Sequence, residues 1–370
     1  VQLILAKAAS NESPNISTTN IASLASGSKY TASRKETEPA IFDCISKLSI
    51  AVGPALTKHL QRDILDMMFA NCSLSKHMQD VLQVLIENIP TLTNLINEKL
   101  LNLLSLVLSG KGFQPPGSPF GTIKVNASLA RDCRLIMISR DTGMSINTIL
   151  MNQERYEKLD SKILIQALEM LAFFKFENYQ LNEFVRYCTI TYLEHNNAKV
   201  RLTATVTSCQ IFVKDPICQQ VSVNALNTVN EVLGKLVSIS ITDPAPEIRL
   251  AGLNCLIKAG NFDPQLSQAN NVRLLFIALN DEVFGVRKVA IQILGRLSCI
   301  NPAYIVPSLR KTLIQLLSKL EYSTTSRKKE ESAILLSLLI SNSKELTRPY
   351  VKPIVDALLP KAKDLSSSVA

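Results

Sequence analysis

Apolar residues recur along this chain at intervals of three and four, segment after segment. Leu56, Leu60, Ile64 and Met67 form one such stripe, and Leu92, Leu95, Ile96 and Leu103 form another. Leu181, Phe184, Cys188 and Tyr192 repeat it in the middle. Leu309, Leu313, Leu316 and Leu320, then Val351, Ile354 and Leu358, repeat it toward the end. This spacing places each set on one face of an amphipathic helix. Short polar turns separate the segments, so the predicted unit is a hairpin of two helices and the predicted fold class is all-α.

The hairpins share a signature. Val200-Arg201 is followed by Ala204, Ile248-Arg249 by Gly252, and Val286-Arg287 by Ala290; Lys329-Glu330 followed by Ala333 fits more loosely. The small residue recurs at intervals of 48, 38 and 43 residues, around the period of HEAT or armadillo units. A branched apolar residue in the first turn anchors the second helix of a hairpin, and the small residue one turn later lets two helix backbones approach. Asp243 and Asp281 each lie six residues before their arginine. An aspartate there can cap the coming helix, and it can also meet an arginine of the adjacent unit, making a partial ladder. As surface pairs these would contribute roughly 0–1 kcal/mol each. The fold predicted is therefore an α-solenoid of HEAT-type helical hairpins.

Two stretches break the pattern. Residues 10–38 are rich in Ser, Thr and Asn and have no apolar period, which predicts a flexible loop. Residues 110–160 open with Gly110-Lys111-Gly112 and a cluster of prolines and read as a long inter-helix insertion, with Leu135 to Ile138 as a short element inside it. The expected organisation is thus the end of a preceding helix at 1–9, the loop at 10–38, HEAT repeats at 39–109, the insertion at 110–160 and HEAT repeats at 161–370. Neither end looks like a natural terminus, so the chain reads as a segment of a longer protein.

Composition narrows the function. Hydrophobic residues make up 46% of the 370 positions while Gly numbers only 12 and Trp is absent, which argues against both disorder and a many-stranded β fold. Eight cysteines are scattered with no C-x-x-C pair, so neither a disulfide framework nor a zinc site is indicated, and a reducing, cytoplasmic setting is favoured. His59, His77 and His195 lie far apart, without ligand spacing. The densest apolar run, Leu100 to Leu108, is about half a membrane span, and no transmembrane segment is expected. Net charge is +9, but it is thinly spread. Its one dense cluster, Arg327-Lys328-Lys329, runs at once into Glu330-Glu331, the pattern of an exposed turn rather than of a phosphate-binding stripe.

Candidate chemistry is sparse. Asp141-Thr142-Gly143 matches the aspartic-protease tripeptide, but that reaction needs two such loops sharing a proton, and there is one copy. Gly110-Lys111-Gly112 lacks the spacing of a phosphate-cradling loop, and neither G-x-x-x-x-G-K-[ST] nor the kinase signatures appear. No catalytic, cofactor-binding or metal-ligating residue is assigned. Tyr304, Arg310, Arg348 and Tyr350 are residue types enriched at interface hot spots, although packing between units is the expected role for most of them.

The last third of the chain carries a resemblance. LVSISITDPAPEIR at 236–249, LNDEVFGVRKVAIQILGRL at 279–297, Asn301-Pro302-Ala303-Tyr304, the run from Leu309 to Gln315, Lys329 to Ala333 and Arg348-Pro349-Tyr350 stand in order. Together they resemble the N-terminal HEAT-repeat region of the target of rapamycin (TOR) kinase family, most like its fungal forms. Upstream, Gly53-Pro54, the run from Leu100 to Leu108, and Phe174 to Glu177 with Phe184 to Arg186 keep to the same pattern. The resemblance implies a non-catalytic scaffold segment of a large serine/threonine protein kinase that controls growth in response to nutrients, with the kinase domain, and the ATP and Mg it uses, outside these residues. It also implies raptor-like or rictor-like subunits as partners, a homodimeric assembly of the whole protein, no nucleic acid, and peripheral association with vacuolar or lysosomal and plasma membranes from the cytoplasm. The alternative is a HEAT-repeat nuclear-transport or nucleic-acid-associated adaptor, and a net charge of +9 argues against the first of these.

Overall fold

The apolar stripes become helices in a computed structural model of the chain, which describes residues 27–72, 74–113, 126–176, 181, 184–186, 189–214, 223–258 and 260–360. Among the described residues there is no strand, and the fold is an all-α array of helical hairpins of HEAT type. Two units divide it, Val1–Thr207 and Ser208–Ala370.

In the first unit, α1 (Gly27–His59) kinks at Gly53, where φ is 22° and Pro54 follows. Proline removes an amide donor and pushes the preceding residue out of the helical region. A π-helical turn, Leu60–Ile64, then joins α1 to α2 (Leu65–Asn71). Its extra residue per turn rotates the stripe. The buried set becomes Leu60, Ile64, Leu65 and Met68, while Leu56 and Met67, expected on that face, are only half-buried. Phe42, Ile45 and Ser49 bury one side of α1, which packs on α3 (Lys76–Asn88). By length and composition alone, the helical stretch Thr37–Asn71 is long and apolar enough to cross a membrane, with a mean hydropathy of 1.4 and 22% of that window buried. Reading the sequence run by run missed this length because Gly53-Pro54 looks like a break.

Ser75 caps α3 by accepting the amide of Met78. A short turn at Pro90–Leu92 leads into α4 (Thr93–Ser109), whose Ile96, Leu100, Leu104 and Leu108 are fully buried. Gly110 ends α4 in the left-handed conformation at φ 74°. A Cβ there would lie 2.5 Å from the amide nitrogen of Ala130 and 2.7 Å from the carbonyl oxygen of Asn126. Gly110→Ala combines a disfavoured φ with a collision against backbone, and is expected to cost about 1–3 kcal/mol. The urea midpoint should fall while the m-value stays the same.

Two stretches expected to be irregular contain helices. Residues 27–38 belong to α1 rather than to a loop; the stretch is rich in helix formers but has no apolar stripe, so periodicity does not detect it. Residues 10–26, like 1–9, lie outside the described residues. The stretch read as an insertion at 110–160 is mostly helical: α5 (Ala127–Thr142), α6 (Ile146–Met151) and the start of α7 (Gln153–Phe173) occupy it, with 114–125 outside the described residues. Its stripes are hidden because charged and polar groups sit at core positions, Arg134 between Ala130 and Ile138 on α5, and Tyr156 and Asp160 on α7. The turn Ile190–Glu194 and α8 (Ala198–Lys214) follow.

The second unit comprises α9 (Val223–Thr242), α10 (Pro246–Lys258), the short α11 (Asp263–Leu266), α12 (Ala269–Ala278), α13 (Phe284–Leu297), α14 (Pro302–Tyr322), α15 (Ser326–Asn342), α16 (Lys344–Thr347) and α17 (Val351–Leu358). Helices α9 and α10, α12 and α13, and α14 and α15 pair as hairpins, and the second helices stack in series, α10 on α13 and α13 on α15. Helices α8, α10, α13 and α15 start at 198, 246, 284 and 326, which is the repeat seen in the sequence. Ala204, Gly252 and Ala290 are buried as the close-approach positions. In the fourth repeat the equivalent is Ser332, not Ala333: Ser332 is 3% exposed, so the sequence frame slipped there by one residue. A Cβ on Gly252 would lie 2.0 Å from Ser240 Oγ of α9, and one on Gly295 would lie 2.6 Å from Asn342 Cβ of α15. The stripe Leu309, Leu313, Leu316 and Leu320 is buried as expected, whereas Val351 and Leu358 of α17 are exposed around a buried Ile354.

Candidate functional site

The signature arginines build a ladder in the second unit. Arg249, in the first turn of α10, folds back so that one terminal nitrogen donates to the carbonyls of Asp243 (2.8 Å) and Pro244 (3.3 Å) in its own turn. Its Nε and other terminal nitrogen donate to the two carboxylate oxygens of Asp281, at 2.8 and 3.0 Å, in the turn of the next unit. Glu282 accepts a third, longer bond at 3.3 Å. Asp281 meanwhile accepts the amide of Val283 at 2.8 Å, as Asp243 accepts that of Ala245 at 2.8 Å. Each aspartate thus closes its own turn, and Asp281 also receives the preceding arginine. Arg287 repeats the step, bonding the carbonyls of Asp281 and Glu282 and reaching Glu331 of α15 at 2.6 Å. In the first unit Arg201 makes the same local bonds to the carbonyls of His195 and Asn196.

The surface-pair reading of these residues needs correction. The side chains of Arg249 and Asp281 are each only 8% exposed. The bonds that Arg249 donates to Asp281 hold its pKa above the ordinary value although burial opposes the charge. A fork-to-carboxylate pair out of water is short, directional and costly to break.

A second buried arginine organises the first unit. Arg134 of α5 donates from Nε to Asp160 of α7 at 2.7 Å, and from a terminal nitrogen to the carbonyl of Val107 at 2.9 Å and to the Tyr192 hydroxyl at 3.3 Å. Tyr192 in turn donates to the carbonyl of Leu108 at 2.7 Å. The last carbonyls of α4, which have no partner within their own helix, are therefore satisfied from α5 and from the 190–194 turn. Tyr156 donates to Asp160 at 3.4 Å and accepts from Arg131 at 3.1 Å. Burial works against the charge on Arg134, yet Tyr192 and Asp160 outweigh it and its pKa rises. Burial, with help from Arg134 and Arg201, lowers the pKa of His195 despite the opposing pull of Asp160; the ring is half-buried, and its Nδ1 accepts the amide of Asn197 at 3.0 Å. Arg296 repeats the device in the second unit, bonding the carbonyls of Ile257 and Leu256 at the end of α10 and Asp263 at 2.7 Å.

The two tripeptides singled out in the sequence are helix ends. Asp141-Thr142-Gly143 closes α5: Gly143 is left-handed at φ 67°, and the Thr142 hydroxyl donates to the carbonyl of Ile138 at 2.7 Å. Gly110-Lys111-Gly112 closes α4, with Ser105 donating to the carbonyl of Lys111 at 2.6 Å. Next to Asp141 lies a shallow cavity of about 90 Å³, lined by Leu74, Met137, Leu159, Lys162, Ile163 and Gln166 among others, well short of the few hundred Å³ a small-molecule site uses. Among the described residues no cluster of His, Cys, Asp or Glu has metal-binding geometry. Tyr304, Arg310 and Arg348 are exposed rather than packed between units, and Tyr350 is half-buried. Tyr304 shares the outer face of α14 with Ile314, 53% exposed, and Tyr322, 76% exposed. The sequence reading missed Ile314 and Tyr322; Tyr322 stands five helical turns from Tyr304, and Ile314 lies about 80° round the helix from both.

No protein-family model matches the chain. It is 49% identical over 337 residues to the serine/threonine-protein kinase TOR2 of Saccharomyces cerevisiae, a match covering 91% of this chain and 13% of that protein. It is 41% identical over 333 residues to the serine/threonine-protein kinase tor1 of Schizosaccharomyces pombe, covering 90% and 13%. Against the serine/threonine-protein kinase mTor of Drosophila melanogaster it is 33% identical over 334 residues, covering 90% and 12%. The chain spans about an eighth of the length of these relatives, and it carries none of the kinase signature motifs. Over nine-tenths of its length, the chain is the homologue of a helical, non-kinase stretch of the TOR serine/threonine kinases.

Proposed function

We propose that this segment is a scaffold of a TOR-type kinase, holding its hairpins in fixed register so that their outer faces dock complex subunits. The observation that carries the reading is the division of labour within the fold. The charged groups with the most demanding geometry, Arg134, Arg249 and Arg287, are spent on joining helices to one another. Large apolar and aromatic side chains are left on outer faces, above all Tyr304, Ile314 and Tyr322 along α14. Two exposed tyrosines in line along one helix, with an exposed aliphatic residue beside that line, suit a protein partner. The partners proposed are a raptor-like or a rictor-like subunit, in a dimeric kinase that controls growth in response to nutrients and works from the cytoplasm at vacuolar or lysosomal and plasma membranes. ATP and Mg belong to the kinase domain of that larger protein, and no cofactor is proposed for this segment.

The test is capture of purified raptor-like and rictor-like subunits by the full chain. At least one is expected to be retained, with retention reduced tenfold or more in a Tyr304→Ala/Tyr322→Ala double variant that keeps its helical circular dichroism. Retention of neither subunit would overturn the proposal.

A further inference from the structure

One turn of the second unit breaks the pattern of the ladder. The turns that precede α10 and α13 place an aspartate three residues before the helix, Asp243 before Pro246 and Asp281 before Phe284. The same register before α15, which starts at Ser326, is occupied by Ser323. At Asp281 the carboxylate does two things: it accepts the amide two residues on, and it receives the arginine of the preceding unit in a two-pronged bond. With serine at 323, Arg287 has no carboxylate at that place and bonds instead to Glu331, one turn into α15, by a single terminal nitrogen at 2.6 Å. Glu331 is shared with Arg327, at 3.2 Å.

We propose that Ser323 is a phosphorylation site, and that a phosphate there restores the missing rung by taking Arg287. The inference is independent of which subunits the segment binds. A protein kinase would transfer the γ-phosphoryl group of a nucleoside triphosphate. The bond from Ser323 Oγ to phosphorus forms as the bond from phosphorus to the β,γ-bridging oxygen breaks, the hydroxyl proton passes to the kinase's base, and the nucleoside diphosphate departs. The site is accessible: Ser323 is half-buried, Thr324 and Thr325 are exposed, and Tyr322 is 76% exposed. A phosphoserine carries close to two negative charges and accepts bidentate arginine bonds as a carboxylate does. Within the turn and its flanks, Lys319, Arg327, Lys328 and Lys329 stand against Glu321, Glu330 and Glu331, and Arg287 reaches Glu331 from α13. Once Arg287 turns to the phosphate, Glu331 keeps Arg327.

Two measurements test this. In the first, the full chain carrying genetically encoded phosphoserine at 323 is melted at low salt beside the unmodified chain, each also with Arg287→Gln. The modified chain should melt about 2–4 °C higher, and the gain should vanish with Arg287→Gln. No gain, or a gain that Arg287→Gln leaves intact, overturns the proposed rung. In the second, phosphopeptides are mapped from the protein isolated from cells that make it naturally. Phosphate localised to Ser323 is expected, and phosphate confined to Thr324, Thr325 or Ser326, or absent from this turn, overturns the site.

Discussion

Replacing Arg134 with alanine is expected to lower the stability of the first unit by about 3–5 kcal/mol. The size follows from what remains behind. Asp160, 9% exposed, keeps only the 3.4 Å bond from Tyr156, and the carbonyl of Val107 loses its donor. A buried carboxylate without its cation, together with an unsatisfied carbonyl at a helix end, is among the few single changes that reach this magnitude. Two controls separate the network from simple loss of packing. Arg155→Ala, on the exposed side of α7, should stay within about 0.5 kcal/mol of the parent. Arg134→Met combined with Asp160→Leu should recover most of the loss, because removing both charges leaves neither one unpaired. Equilibrium urea unfolding followed by circular dichroism reads all of these variants; a loss below about 1 kcal/mol for Arg134→Ala would place Asp160 in water.

Arg249 is the second position where a large effect is expected. Arg249→Ala should cost about 3–5 kcal/mol in the second unit, again by leaving a buried carboxylate unpaired. Arg249→Lys is the more informative change. Lysine keeps the charge but presents one ammonium in place of a planar fork. It cannot bond the Asp243 and Pro244 carbonyls and both Asp281 oxygens together, as Arg249 does. The substitution is expected to cost about 1.5–3 kcal/mol, the range of a charged hydrogen bond lost. Arg201, which makes the corresponding local bonds to the carbonyls of His195 and Asn196, extends the pattern into the sequence of the first unit.

The parts of the fold legible in the sequence were those where a core position holds an apolar residue. The stripe Leu309 to Leu320 of α14 is buried residue for residue, and the spacing of Arg201, Arg249 and Arg287 foretold both the helix starts and the ladder. Reading failed where the core position is polar. Arg134, Tyr156 and Asp160 occupy buried sites on α5 and α7, so hydrophobic periodicity dissolved there and two helices passed for a loop. The π-helical turn at Leu60–Ile64 defeated it differently, by shifting the register partway along a continuous helix. Burial itself was the other illegible quantity. From sequence, Arg249 and Asp281 are two charged residues in turns and look like surface; only the stacking of α10 on α13 encloses them. Ile314 and Tyr322 were missed for the opposite reason, since an apolar residue on a helix is assumed to face inward until its neighbours are known.

Arg249, held by Asp281 in the turn before α13, locks two consecutive hairpins in register. A double-mutant cycle on Arg249 and Asp281, with Arg249→Met, Asp281→Leu and the pair compared by urea unfolding, measures that lock directly. A coupling of about 1.5 kcal/mol or more is predicted, whereas single effects that add to within about 0.5 kcal/mol would contradict it.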